Sequence, residues 1–138
     1  PCAERISFLG HVAGEAKREA LARASIGVVP SRSESFGGTL LELEAQGLAC
    51  IATAVGGMAE LTDGGRAVRC VPKDDAGALA EALADLMDDG EARRKLGEAA
   101  RHNAAAFSWE AAAARYEALY RAVGLRANQK RPERSSRC

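Results

Sequence analysis

Apolar residues along this chain come in two rhythms that take turns. Short, predominantly apolar runs at Ile6 to Leu9, Ile26 to Val29, Cys50 to Val55 and Val68 to Val71 are β-branched or Cys-containing, and they read as strands. None alternates polar with apolar. Strands apolar on both faces are the mark of a parallel sheet covered by helices. Between them, Glu15 to Ser25 sets Ala20, Leu21 and Ala24 on one helical face, and Gly38 to Gln46 carries Leu40, Leu41 and Leu43. Both segments therefore read as crossover helices.

Beyond Val71 only the helical rhythm remains. Pro72 interrupts the chain, and Ala76 to Met87 then aligns Leu79, Leu83, Leu86 and Met87 on one stripe. Gly90 separates this helix from Glu91 to Ala106. Ser108 stands at an N-cap position ahead of Trp109 to Val123, which carries Ala112, Tyr116, Leu119, Tyr120 and Val123 on one face. Gly124 reads as the C-terminal stop. The pattern predicts an α/β fold over residues 1–125, a Rossmann-like parallel sheet flanked by helices with three helices at the C-terminal end, followed by a disordered basic tail at residues 126–138.

Length narrows this further, because 138 residues suffice for one domain and not for two substrate-binding domains. The chain runs almost at once into an apolar stretch, which predicts a fragment of a larger protein. Aromatic residues make up only 4% of the chain, so the core must rest on Leu, Val and Ile. No run of apolar residues is long enough to span a membrane and no basic-then-apolar leader is present, so no transmembrane segment and a cytoplasmic location are expected.

Charge and cysteines exclude more than they suggest. Residues 126–138 hold Arg126, Lys130, Arg131, Arg134 and Arg137 against Glu133, leaving 14 basic and 18 acidic residues of the total 19 and 19 in the body. An acidic body is a poor electrostatic match for nucleic acid, so no nucleic-acid partner is expected. Cys2, Cys50, Cys70 and Cys138 lack metal or redox spacing and read as reduced thiols, with Cys50 and Cys70 as small hydrophobes inside strands. His11 and His102 stand apart from any nucleophile motif, and no metal site is read.

The chemistry-bearing stretch is Pro30-Ser31-Arg32-Ser33-Glu34-Ser35-Phe36-Gly37-Gly38-Thr39-Leu40-Leu41-Glu42, which leaves a buried strand and enters a helix. In open α/β sheets ligands bind at such carboxyl ends. Gly37 and Gly38 lack Cβ atoms, so a phosphate can approach the free N–H groups of the helix start, where the dipole favours negative charge. Glu34 and Glu42 flank the pair. A carboxylate offers two acceptor oxygens, enough for the hydroxyls of a ribose diol or of a sugar. Taken singly, Glu42 is an ordinary helix-surface acid and Glu34 a favourable charge near a helix N-terminus; their joint occurrence with the glycines after a buried strand describes a nucleotide-diphosphate-sugar site.

Several of these residues also resemble a known family. Pro30-Ser31, Glu34-Ser35-Phe36-Gly37, the Glu34-x7-Glu42 pair, Ala45-x-Gly47, Ile51-Ala52-Thr53, Gly56-Gly57 and Glu60 resemble the signature of glycosyltransferase family 4. Phe8-Leu9-Gly10-x-Val12, Val71-Pro72-x-Asp74 and Phe107-Ser108-Trp109 fall in the same order as in that family. The departures are Leu43-Glu44-Ala45 in place of Ala-Met-Ala, Gly47-Leu48-Ala49-Cys50 without the usual Pro, and the charged Arg66-Ala67-Val68-Arg69-Cys70.

The resemblance implies the C-terminal half of a GT-B fold, incomplete here, and an enzyme that moves a sugar from a nucleotide-diphosphate donor to an acceptor with retention. It implies Glu34 as the catalytic residue facing the transferred sugar. Phe36, Gly37, Gly38 and Thr39 would give backbone N–H groups to the diphosphate, Glu42 would hold the ribose, and Ser35 would be a further donor-binding residue. Val12 and Lys17 resemble positions bordering the nucleobase. No cofactor is implied beyond the donor substrate. The expected partner is an acceptor-binding N-terminal half, without which the fragment alone should be inactive; the acceptor is not legible. Two other readings stay open, a GT-B phosphorylase or epimerase and a non-catalytic nucleotide-binding module.

Overall fold

The computed structural model describes residues 3–129, and the chain divides between Ala104 and Ala105 into two compact units. The first holds a short 3-10 turn (Ala3–Arg5), α1 (Gly14–Ala22), β1 (Ile26–Val29), α2 (Gly38–Ala45), β2 (Ala49–Thr53), a 3-10 segment (Gly56–Gly65), β3 (Val68–Val71), α3 (Ala76–Asp88) and α4 (Gly90–Ala105). The second is built on α5 (Trp109–Gln129). The three strands are parallel in the order β1-β2-β3, with Gly27 opposite Cys50 and Cys50 opposite Val68. This is the doubly flanked parallel sheet that the apolar runs predict. No described helix is long and apolar enough to cross a membrane.

The central strand explains why the pattern is legible. All five residues of β2 are buried, because both its edges are paired and both its faces are covered. Ala49 and Ile51 join Val71, Ala82 and Leu86 in a cluster on which Leu79, Leu83 and Leu96 pack, so this face is sealed by α3 and α4. The alternate residues Cys50 and Ala52 face the other way, where Leu40, Met58 and Leu61 are fully buried. Gly27 lets α2 approach β1, since a Cβ there would lie 2.8 Å from a Leu43 methyl.

Several expectations are corrected. Ile6 to Leu9 form no strand, and Ile6, Phe8 and Leu9 are exposed. An apolar run becomes a strand only where a neighbouring strand takes up its N–H and C=O groups, and no described strand does so here. Cys70 and Arg69 are exposed, because β3 is an edge strand with one side of its ladder unpaired; Met87, at the end of the α3 stripe, is exposed too. Gly124 does not stop α5, which continues to Gln129. A mid-helix glycine costs only about 1 kcal/mol against alanine, which the flanking helix formers offset. Of the tail expected at 126–138, residues 130–138 lie outside the described residues, as do Cys2 and Cys138.

Helix starts follow the caps. Asp75 Oδ1 accepts from the Ala78 N–H at 2.9 Å, Asp89 Oδ1 from the Ala92 N–H at 2.9 Å, and Ser108 Oγ from the Ala111 N–H at 3.1 Å. At its far end α2 meets α4 across two glycines. A Cβ on Gly97 would lie 2.3 Å from the Gly47 carbonyl oxygen, and Arg101 donates to the Gln46 carbonyl at 2.9 Å. The same corner buries an acid that the sequence does not announce. Glu44 is fully buried; its Oε2 accepts from Asn103 Nδ2 at 2.9 Å, and Oε1 has no hydrogen-bond partner among the described residues. Burial pushes this carboxyl from 4.5 up to about 7, against the Asn103 hydrogen bond, which lowers it, while the Asp63 charge raises it.

Two outcomes are expected. The folded chain holds the Glu44 proton more tightly than the unfolded chain, so this stabilisation is complete below about pH 4.5 and is lost as pH rises through about 7, amounting to about 3 kcal/mol. Urea unfolding between pH 5 and 8 should therefore show a shallower fall in stability for Glu44→Gln than for the unsubstituted chain; parallel curves would contradict this burial. Gly97→Ala should cost about 1–3 kcal/mol in the same assay, since the new methyl meets backbone that cannot step aside.

Candidate functional site

The loop leaving β1 and the start of α2 are shaped by glycines on both sides. Gly37 is buried and adopts φ 96, a left-handed conformation in which a side chain is strained, and a Cβ there would also strike Met58 at 2.9 Å. This turns the chain sharply, so that Gly38 and Thr39 open α2 exposed to solvent. No side chain caps α2, in contrast to α3, α4 and α5, and its first turn carries no acid, whereas those of α4 and α5 hold Glu91 and Glu110. Its first N–H groups thus end at the carboxyl edge of the sheet, with the positive end of the helix dipole behind them.

The opposite wall is the 3-10 segment after β2. Gly56 and Gly57 press on the loop so closely that a Cβ on Gly56 would lie 2.0 Å from the Glu34 carbonyl oxygen, and one on Gly57 2.1 Å from that of Ser35. Gly56 also has φ 53. The loop is held at its start by Thr53, whose Oγ1 donates to the Ser31 carbonyl at 2.5 Å. Further out, Arg32 Nε donates to Asp74 Oδ1 at 2.6 Å, tying the loop to the turn before α3. Asp74 has φ 61, uncommon for a residue with a side chain. Pro30, Arg32, Thr53, Val71 and Asp74 contribute to a recess of about 280 Å³ at the carboxyl ends of all three strands.

Each expected site residue has a place in this frame. Glu34 is half-buried, and its Oε1 accepts from the N–H groups of Ser35 at 3.0 Å and Phe36 at 3.5 Å. The Phe36 N–H expected to face a phosphate is thus turned to the Glu34 carboxylate in this structure. Ser35 and Phe36 are exposed, the ring of Phe36 standing out to solvent. Glu42 lies one turn into α2, and its Oε1 accepts from Lys17 Nζ of α1 at 2.7 Å. Val12 is half-buried two residues before α1 and has only apolar contact to offer.

Glu34 through Glu42 therefore form one loop-and-helix unit, and Lys17 joins it through Glu42. Sequence reasoning missed Arg32, Thr53 and Asp74 as supports of this loop. Thr53 and Asp74 stand in the quoted motifs, but a motif does not say which carbonyl or guanidinium a side chain will meet. A second recess of about 400 Å³, bounded by Gly47, Gly97, Arg101 and His102, lies at the other end of α2, at the amino edge of the sheet.

Comparison with known proteins identifies the family and agrees with the fold. A model of the family described as glycosyl transferases group 1 matches residues 1–89. The D-inositol 3-phosphate glycosyltransferase of Corynebacterium glutamicum is 42% identical over 97 residues, covering 70% of this chain and 23% of that protein. The enzyme of the same name from Streptomyces coelicolor is 35% identical over 121 residues, covering 88% of this chain and 26% of that protein. The chain thus spans about a quarter of the length of these relatives. Among solved structures, sucrose-phosphate synthase from Thermosynechococcus elongatus superposes with a TM-score of 0.77 at 35% identity over 88% of this chain and 31% of that one. HepE of Anabaena, solved in complex with UDP, superposes with a TM-score of 0.67 at 21% identity over 74% of this chain and 28% of that one, a likeness of fold. With the three parallel strands and their flanking helices matching the Rossmann-like C-terminal domain of the GT-B fold, and with the family match extending over more than half of its length, the chain belongs to the group 1 glycosyl transferases.

Proposed function

We propose that this chain is the donor-binding part of a glycosyltransferase that moves a sugar from a nucleotide-diphosphate sugar to an acceptor with retention of configuration. The observation that carries the reading is the uncapped, acid-free start of α2, exposed at the carboxyl edge of the sheet and flanked by Glu34 and Glu42. Negative charge is stabilised at such a helix end, where free N–H groups point at the ligand. The diphosphate then lies against the N–H groups of Gly38 and Thr39, the ribose diol against Glu42, and the transferred sugar against Glu34. For Phe36 to lend its N–H as well, the Glu34 carboxylate must swing away from it, and the sugar hydroxyls give it somewhere to go.

The relatives support a donor role over an acceptor role. One is named for D-inositol 3-phosphate and another for sucrose phosphate, yet both share this segment. A segment common to enzymes named for different compounds is suited to carry what they have in common. In the proposed reaction the bond from the anomeric carbon to the diphosphate oxygen breaks, the acceptor oxygen bonds to the same face, and the acceptor proton passes to the leaving phosphate. No general base is then asked of this chain, and the acceptor site belongs to a partner half.

Titration calorimetry of the 138-residue chain with UDP, GDP, ADP and their sugar conjugates should show binding of one nucleotide. Glu42→Ala should weaken that binding by about tenfold or more, as expected for loss of charge-assisted hydrogen bonds; undiminished affinity would remove Glu42 from the site. Gly57→Ala should also weaken it, by displacing the Ser35 carbonyl. The chain by itself should bind without turnover, because stabilisation of the leaving charge by the helix end alone lacks groups each worth about 100-fold or more in rate. Product formation from any sugar nucleotide would overturn that division of labour.

A further inference from the structure

We infer that Lys17 is a positioning residue for the donor's ribose, acting through Glu42. The inference rests on the donor-site reading above and deepens it. Lys17 Nζ lies 2.7 Å from Glu42 Oε1, and the two residues come from different helices, 25 positions apart. α1 contributes no buried residue to the core, so Lys17 crosses to Glu42 from a helix whose own packing is shallow. An ion pair this exposed, with the side chains 38% and 52% accessible, adds little to folding stability. Its effect is local and geometric.

A carboxylate on a helix surface otherwise samples several rotamers, and a diol-binding carboxylate must be fixed in one. Each carboxylate oxygen has two lone pairs, so Oε1 can accept from Lys17 and still accept from a hydroxyl, while Oε2 stays open for its neighbour. Lys17 thereby fixes the plane of the carboxyl before the ligand arrives. It also offsets a negative charge one turn from where a diphosphate would sit. Removing the rotamer freedom in advance spares the ligand a cost equivalent to about two- to tenfold in affinity.

The test separates the ribose from the phosphates. Lys17→Met, Lys17→Arg and Glu42→Ala are titrated with UDP, GDP and ADP and with the 2′,3′-dideoxy form of whichever the unsubstituted chain binds. Lys17→Met should weaken the ribonucleotide about three- to tenfold, leave the dideoxy form unchanged and leave the thermal midpoint in place, and Lys17→Arg should retain most of the affinity. Equal weakening of both nucleotides would mean that Lys17 acts on the phosphate charge, and it would overturn the inference. So would unchanged affinity for the ribonucleotide. If the unsubstituted chain binds no nucleotide, the donor-site reading itself fails and this inference falls with it; if it binds and only Glu42→Ala weakens it, the donor site stands and the role of Lys17 does not.

Discussion

Everything at the candidate site depends on two backbones touching. The peptide groups of Gly56 and Gly57 lie against the carbonyls of Glu34 and Ser35, with no room for a β-carbon between them. That contact fixes how far the loop after β1 can lean, and with Gly37 it fixes where α2 begins. The hydroxyl of Thr53, at the end of the neighbouring strand, holds the same loop by its Ser31 carbonyl. Two consecutive strand ends therefore position one loop, and the loop positions both glutamates. A loop defined by main-chain contact is stiffer than one held by side chains, which suits the proposed binding of a ligand by N–H groups in fixed directions.

The far end of α2 is secured by other means. There α4 crosses at Gly47 and Gly97, Arg101 reaches the Gln46 carbonyl, and Asn103 serves both Glu44 and the Leu61 carbonyl. Asn103 thus joins α4 to α2 and to the 3-10 segment that walls the site. An α4 residue in this way helps to set the spacing between α2 and the 3-10 segment.

How much of this was legible in the sequence differs by element. β1 and β3 are read to their true bounds, and the start of α5 follows from Ser108, because strand burial and helix capping are local properties. The Glu34-to-Glu42 stretch is legible as a unit for the same reason, as strand, glycine turn and helix start lie consecutively. Ile6 to Leu9 misled because pairing is a property of the neighbour and not of the run. Cys70 misled because an edge position cannot be read from the strand's own residues. The burial of Glu44 was not legible, since an acid between Leu43 and Ala45 does not say that an asparagine 59 positions away will meet it.

The missing cap on α2 has one more consequence. Every other helix from α3 onward opens on a side chain that accepts a backbone hydrogen bond, whereas this one, eight residues long, opens on a left-handed glycine. Its local preferences are at odds with its tertiary setting, which is frustration in the landscape sense, and frustrated elements are where sub-global opening begins. An anion seated at its first turn supplies the absent acceptor and lowers the free energy of the closed helix relative to its opened forms. Under the proposed donor binding, ligand occupancy and the opening of this segment would be coupled, and amide exchange along α2 would report that coupling.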